Sequence, residues 1–329
     1  MTDLTRRTVL AGTATTAAAA LSPTSFVNPA GAAAPLADKQ VAPAYRYKVG
    51  SYEITVLSDG WQDIPVTDAM VRNAKADEIN AALAAAYLPK GTFRSVYHPI
   101  VVNTGSKLVL IDTGNSTVRG PTMGHLPASM AAAGIDAKSI DIVMISHFHP
   151  DHINGILAPD GKSLQYPNAE IMVPAAEWSF WMDEAAMNRL PDGGIKNNHK
   201  NCFRVFAGLE NKVTKYGWDK EIAPGLTAFA SIGHTPGHTS YVVTSGNGRL
   251  LVQSDVTQRP ELYVRNPHWQ AGGDMDGPKA AETRRKIYDM AVTDNMLVAG
   301  FHYPFPAAGY VEKEGNGYRL VPIAWNPTL

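Results

Sequence analysis

Apolar positions alternate with polar ones, or run in short blocks, along most of the chain. Tyr45-Arg46-Tyr47-Lys48-Val49 and Tyr52-Glu53-Ile54-Thr55-Val56-Leu57 flank Gly50-Ser51 and predict a hairpin, with a turn at Ser58-Asp59-Gly60. Ala76 to Tyr87 is Ala-rich, with Ile79, Leu83 and Tyr87 at helical spacing, and predicts a helix stopped by Pro89 and Gly91. A second hairpin is expected from Pro99 to Val102 and from Lys107 to Ile111, across Asn103-Thr104-Gly105. A helix from Leu126 to Ala133 then leads to the apolar run Ile142-Val143-Met144-Ile145. Beyond it the rhythm repeats: a strand over Ala169 to Val173, a helix carrying Trp178 and Trp181, strands over Leu226 to Ala230 and Ser240 to Thr244, and a strand at Leu250-Leu251-Val252-Gln253. A helix over Lys279 to Ala291 and a strand at Met296-Leu297-Val298-Ala299 complete it. Strands and helices alternate in two comparable halves, which predicts one α/β domain of mixed sheets flanked by helices.

The chemistry sits where these strands stop. Ile142 to Ile145 runs directly into His147-Phe148-His149-Pro150-Asp151-His152, four metal-binding side chains within six residues. Neutral imidazole and carboxylate together suit zinc and similar divalent metals. In an extended segment alternate side chains point the same way, so His147 and His149 can grip one ion. A turn near Pro150 redirects Asp151 and His152 to a neighbouring position, which suggests two metals. Gly155 lets the backbone pass close to this site.

Three further residues occupy the same kind of position: His234 in Gly233-His234-Thr235-Pro236-Gly237-His238, Asp255 after the Leu250 strand, and His302 after the Met296 strand. The ligand count then closes as His147, His149, His234 and Asp255 on one ion, and Asp151, His152, His302 and Asp255 on the other. Asp255 bridges, Asp151 keeps the second position hard, and these two are the candidate catalytic residues. His238 is read as a support behind the ligands, Asp112 in Asp112-Thr113-Gly114 as a carboxylate orienting a ligand, and Asp59 as a turn residue. His98, His125, His199 and His268 read as surface or packing residues, with His268 beside Trp269 a candidate pocket position.

Composition narrows the class. The chain has 329 residues, 45% of them hydrophobic, enough for a sizeable core. Its 29 Lys and Arg against 30 Asp and Glu give a net charge of -1, which removes the electrostatic argument for a nucleic-acid partner. Thr5-Arg6-Arg7-Thr8-Val9-Leu10 and the Ala/Thr-rich stretch after it read as a twin-arginine export signal over residues 1–34, too short for a membrane span. A periplasmic or extracellular domain over 35–329 is the expectation. Cys202 is the only cysteine, so no intrachain disulfide forms. It lacks a nucleophile motif, and no G-x-S-x-G elbow occurs.

The pattern H-x-H-x-D-H, then G-H-T, a later aspartate and a late histidine resembles the metallo-β-lactamase superfamily. Val102 to Gly114, the Gly233 to Thr239 loop and Gly317-Tyr318-Arg319 resemble its exported methyl parathion hydrolase group and their lactonase relatives. The resemblance implies an αββα sandwich with the site at the edge of the two sheets, and two divalent ions, usually zinc. It departs from that group around the substrate. Organophosphate-hydrolysing members have an apolar aromatic pocket, whereas Arg119 follows the Asp112 turn here and Thr257, Gln258 and Arg259 follow Asp255. Phe180 and Trp181 could form an aromatic wall or a helix face packed into the core. The tyrosine that some acyl-homoserine lactonases carry after the bridging aspartate is not evident.

The leading expectation is therefore a binuclear hydrolase acting on a lactone or aryl ester, with promiscuous phosphotriester cleavage. Two ions about 3.5 to 4 Å apart would supply hydroxide near neutral pH. Organophosphate triester hydrolysis as the main activity, and a mononuclear iron oxidoreductase of the sulfur dioxygenase type, are the alternatives; a non-catalytic metal-stabilised binding protein is a third class. The expected partner is a small ester or lactone, with a homodimer among the assemblies left open.

Overall fold

A computed structural model describes Leu36, Gln40 and residues 44–329. The compact unit from Val41 to Leu329 contains every element discussed below. The expected export signal lies outside the described residues.

Residues 44–216 build one seven-stranded sheet. Its strands are β1 (Ala44–Val49), β2 (Tyr52–Leu57), β5 (Ile100–Asn103), β6 (Leu108–Ile111), β7 (Ile142–Met144), β8 (Glu170–Pro174) and β9 (Val213–Tyr216), adjacent in that order. The hairpins β1–β2 and β5–β6 are antiparallel, and β6 to β9 are parallel. The missing numbers, β3 (Gly60–Pro65) and β4 (Thr92–Tyr97), pair with each other in a separate ribbon, where the Ser58-Asp59-Gly60 reading anticipated only a turn.

Residues 220–322 build the second seven-stranded sheet in chain order: β10 (Lys220–Ala223), β11 (Leu226–Ala230), β12 (Thr239–Ser245), β13 (Gly248–Val252), β14 (Leu297–Ala299), β15 (Ala308–Glu314) and β16 (Gly317–Pro322). Only β13 and β14 are parallel. A parallel neighbour needs a crossover, and helix α7 (Gly277–Thr293) falls between them in the chain.

Period-two alternation explains how both sheets are covered. Ile100 and Val102 of β5, Val109 and Ile111 of β6, and Ile142 and Met144 of β7 join a core cluster shared with Leu226, Tyr241 and Leu250 of the second sheet. The intervening Val101, Leu110 and Val143 face the other way, into a cluster with Leu126 and Met130 of α2 (Leu126–Ala132), Trp181 of α4 (Ala175–Trp181), and Cys202, Val205 and Phe206 of α6 (Gly194–Phe206). Strands buried on both faces read as continuous apolar runs, which is why β6 and β7 stand out in the sequence. Mixed sheets with helices outside them form the expected αββα sandwich.

The remaining helices are α1 (Ala76–Ala85), α3 (Pro150–Ile153) and α5 (Glu184–Arg189). Helix α6 escapes the sequence reading because Lys196, Asn197, Asn198, His199, Lys200 and Asn201 hide its pattern. Its buried residues Asn198, His199, Cys202, Val205 and Phe206 nevertheless follow helical spacing. The expected strand at Ala169 and helix at Lys279 form with ends shifted by one or two residues.

Candidate metal centre

Every predicted ligand sits at a strand end or in the loop that follows, and the two sheets bring these ends together. β7 of the first sheet leads into His147, His149 and, on the first turn of α3, Asp151 and His152. The second sheet supplies His234 from the β11–β12 loop, Asp255 after β13 and His302 after β14. Backbone geometry is specialised here. Asp112 after β6 and Ser254 after β13 both adopt left-handed conformations (φ 60° and 53°), which non-glycine residues hold only when their surroundings fix them. The fixing bond is direct, since the Ser254 hydroxyl donates to Asp112 Oδ2 at 3.1 Å. A Cβ on Gly155 would lie 1.9 Å from the Thr113 carbonyl oxygen, so the close approach read from the sequence requires glycine.

Two groups of donor atoms result: His147, His149 and His234, and Asp151, His152, Asp255 and His302. In the first, His149 Nδ1 lies 3.1 Å from His147 Nε2 and 2.9 Å from His234 Nε2. In the second, Asp255 Oδ2 lies 3.0 Å from His302 Nε2, and Asp255 Oδ1 lies 3.3 Å from His152 Nε2. Asp255 Oδ2 also reaches His234 Nε2 at 3.4 Å, so one carboxylate touches both groups. Asp151 Oδ2 stands 3.5 Å from both His152 Nε2 and His302 Nε2.

The outer nitrogen of four of the five imidazoles is tied down, which sets their tautomers, while His149 faces the group through Nδ1. His152 Nδ1 is 2.8 Å from Asp112 Oδ2, His234 Nδ1 is 2.9 Å from Asp274 Oδ1, and His302 Nδ1 donates to the Val96 carbonyl at 2.8 Å. The Ser146 hydroxyl donates to Asp112 Oδ2 and therefore accepts from His147 Nδ1 at 3.0 Å. All four residues thus turn Nε2 inward, as metal-binding histidines do when an outer partner fixes the ring. In the histidine group the Nε2 atoms of His147 and His234 converge on Nδ1 of His149, an arrangement a shared cation satisfies. In the other group, His152 Nε2 and Asp255 Oδ1 are buried and make no hydrogen bond, facing each other at 3.3 Å. Orphaned buried polar atoms are costly, and ligation to a cation supplies the missing interaction. The donor set of nitrogens and carboxylate oxygens fits divalent first-row metals.

The two groups differ in charge. Burial, reinforced by neighbouring imidazoles, pushes His147 well below the usual histidine range and His149 down to about 3, so both are neutral ligands. Burial also acts to lower His152, but Asp255, Asp112 and Asp151 outweigh it and hold the ring protonated. His302 is raised in the same way by Asp255 and Asp151. Burial would raise Asp255, yet His302 and His152 hold it well below the usual carboxylate range.

Supporting residues vary in how readable they are. Asp112 orients His152, in the role expected of it. His238 stands behind the ligands, its Nε2 accepting the Asp255 backbone N–H at 3.1 Å and its Nδ1 meeting Ser231 Oγ at 2.7 Å. Asp59 is not a simple turn residue: it is fully buried and accepts from the backbone N–H groups of Asn115 and Leu126. Asp274 and Glu177 carried no signal, since neither stands in a histidine-rich or strand-end motif. Glu177 accepts from Phe148 N, Gly237 N and Trp181 Nε1, bracing both ligand loops against α4.

Beside the histidine group a cleft of about 860 Å³ opens, lined by His149, Arg119 and Trp181 among others. Phe180 and Gln258 do not line it. Phe180 packs on Trp181 and His199 instead, centroids 4.8 and 5.4 Å apart. Thr257 is buried, and Arg259 is paired with Glu261 at 3.0 Å. His98 and His199 are buried packing residues, and His125 and His268 are exposed. His268 is not part of the cleft lining.

The family profile of the metallo-beta-lactamase superfamily matches residues 96–302. Among solved structures, hydrolase AbOPH of the beta lactamase superfamily superposes with a TM-score of 0.81 at 27% identity, covering 88% of this chain and 100% of that one. AidC, a dizinc quorum-quenching lactonase, gives 0.77 at 24% identity over 86% and 98% of the two chains. A probable metal-dependent hydrolase from Staphylococcus aureus gives 0.68 at 20% over 86% and 100%. No curated protein sequence matches closely enough to count as a relative. With a family match spanning most of the chain and the donor residues gathered at the sheet edge, this chain belongs to the metallo-β-lactamase superfamily.

Proposed function

We propose that the chain hydrolyses a lactone or an activated aryl ester, using two divalent ions, zinc in the first instance, held by the two donor groups. That it is a metal-dependent hydrolase follows from its superfamily and fold. The observation that carries the two-ion reading is Asp255, whose carboxylate touches both groups and leaves one oxygen without a hydrogen bond. His147, His149 and His234 would hold one ion, Asp151, His152 and His302 the other, with Asp255 between them.

When bound, such a pair lowers the pKa of water and polarises an ester carbonyl. The chain's own residues do the positioning. Asp112, Asp274, Ser146 and the Val96 carbonyl fix the imidazole rings, and His238 fixes the Asp255 backbone. Trp181, with His149 6.2 Å away between ring centroids, walls the cleft side where the substrate enters. The similarity to AbOPH supports a hydrolase. Asp151, His152 and His302 lying together support two ions over the single iron of a dioxygenase.

Metal analysis of the purified protein should return close to two ions per chain, and a panel of γ- and δ-lactones, aryl esters and phosphotriesters should show turnover on the first two classes. One iron with oxygen consumption, or turnover confined to phosphotriesters, would overturn this reading. Export remains part of the proposal. Fusing residues 1–34 to a reporter should give twin-arginine-dependent translocation, and cytoplasmic retention of the fusion would refute it.

A further inference from the structure

The cleft beside His149 is rimmed by three arginines that come from separate parts of the chain. Arg72 lies between β3 and α1, Arg119 in the turn after β6, and Arg204 on α6. Among the described residues six arginines have no carboxylate within ion-pair distance, whereas Arg94, Arg249, Arg259, Arg265, Arg284 and Arg319 are paired. Three of the six, Arg72, Arg119 and Arg204, meet at this cleft, the others being Arg46, Arg189 and Arg285. The acidic residue in the lining, Asp274, is already committed to His234 at 2.9 Å and Arg284 at 3.6 Å. A chain with a net charge of only -1 thus gathers three unpaired guanidinium groups at the cleft that His149 of the histidine group lines.

Two of the three are held in place by neutral oxygens. Arg204 Nη2 donates to Asn154 Oδ1 at 2.8 Å and Asn201 Oδ1 at 2.9 Å. Arg72 Nη2 donates to the carbonyls of Gly272 and Asp274. Both use a single guanidinium nitrogen in these bonds, leaving the rest of the fork available. Among the described residues the Arg119 side chain makes no hydrogen bond, and it is exposed. Guanidinium forks held by neutral acceptors recognise oxyanions bidentately, and do so better when their geometry is fixed beforehand. Asn197 and Asn198, also in the lining, extend the polar wall.

We infer that the cleft binds an oxyanion carried by the substrate, so that the preferred ester or lactone bears a carboxylate or phosphate on the part remote from the bond that is cleaved. This rests on the hydrolase reading above and narrows it. The scissile group sits at the donor residues, and the anionic end reaches past Trp181 to the arginines. Concentrated like charge also favours an anionic substrate during encounter, in a salt-dependent way.

The test compares para-nitrophenyl esters on the metal-loaded protein: the glutarate monoester with its free carboxylate, the same compound as its methyl ester, and a phosphate-ended analogue. We expect kcat/KM for at least one anionic ester to exceed that of the neutral ester by roughly tenfold at low salt, the size of one charge-assisted contact. Which anion is preferred names the oxyanion. The advantage should shrink as salt rises, and Arg119→Gln, at an exposed position with no structural bond to lose, should lower the anionic-to-neutral ratio mainly through KM. Arg204→Gln and Arg72→Gln should lower it further. A neutral ester turned over at least as well as both anionic ones, or a ratio unmoved by salt and by Arg119→Gln, overturns the inference while leaving the hydrolase reading standing. No turnover on any ester or lactone overturns the hydrolase reading itself.

Discussion

The two donor groups share a carboxylate and a sheet edge, yet they are opposites electrostatically. His147, His149 and His234 form an all-imidazole group in which burial keeps His147 and His149 neutral. Asp151, His152, Asp255 and His302, with Asp112 behind them, form a carboxylate-rich group in which carboxylates push His152 and His302 above the ordinary histidine range. The difference teaches that burial alone does not set the charge of a histidine. Buried imidazole loses its proton where its neighbours are imidazoles and keeps it where they are carboxylates. His147 and His149 are ready to ligate a cation, whereas the second group would have to give up protons to take one.

Removing the residue common to both should have the largest effect. Asp255→Ala is expected to lower hydrolysis by on the order of a thousandfold or more and to reduce the metal content of both groups, since it deletes the shared ligand. Undiminished turnover with two ions retained would refute the bridging role. His234→Ala and His302→Ala should separate the groups: each is expected to drop metal content from two ions toward one, measured after dialysis against metal-free buffer. Loss of both ions from either variant would show that the groups do not load independently.

Smaller effects should come from the outer partners. Asp112→Asn is expected to weaken metal binding at the carboxylate-rich group by about 10- to 100-fold, because His152 loses the acceptor that orients it. Asp274→Asn should weaken the histidine group by a similar factor, and also cost about 3 kcal/mol of stability in thermal unfolding, since it leaves Arg284 buried beside a neutral amide. The smallest effect should be on protons. Because His152 and His302 are held above the ordinary histidine range, loading that group must displace protons, so its affinity should fall as pH falls. His147 and His149, already neutral, should contribute little to such a dependence across the neutral range. Titration calorimetry in buffers of different ionisation enthalpy measures the release; equal release in both groups would erase the contrast drawn here.

The parts of this protein legible in its sequence follow a physical rule. Strands β6, β7 and β13 announce themselves because they are buried on both faces, and their ends mark Asp112, His147 and Asp255. Ribbon β3–β4 and helix α6 were hidden, the first behind a turn signal and the second behind a run of lysine, asparagine and histidine whose buried face shows only once packing selects it. Arg119 and Trp181 do border the cleft, whereas Phe180 and Gln258 do not, because pocket walls depend on how a helix or loop is rotated rather than on residue type.

The sequence by itself singled out the candidate donor residues that the structure brings together, since metal chemistry restricts such residues to few types and strand ends place them in order. Only the tertiary structure decided which donors share a group, because Asp255 meets both through contacts across residues 147–302 that no local pattern encodes. It also decided the supporting cast. Asp274 finds His234 and Arg204 finds Asn154 only when two sheets and an outer helix pack together, and that packing is what turns a set of ligands into a centre with a charged cleft beside it.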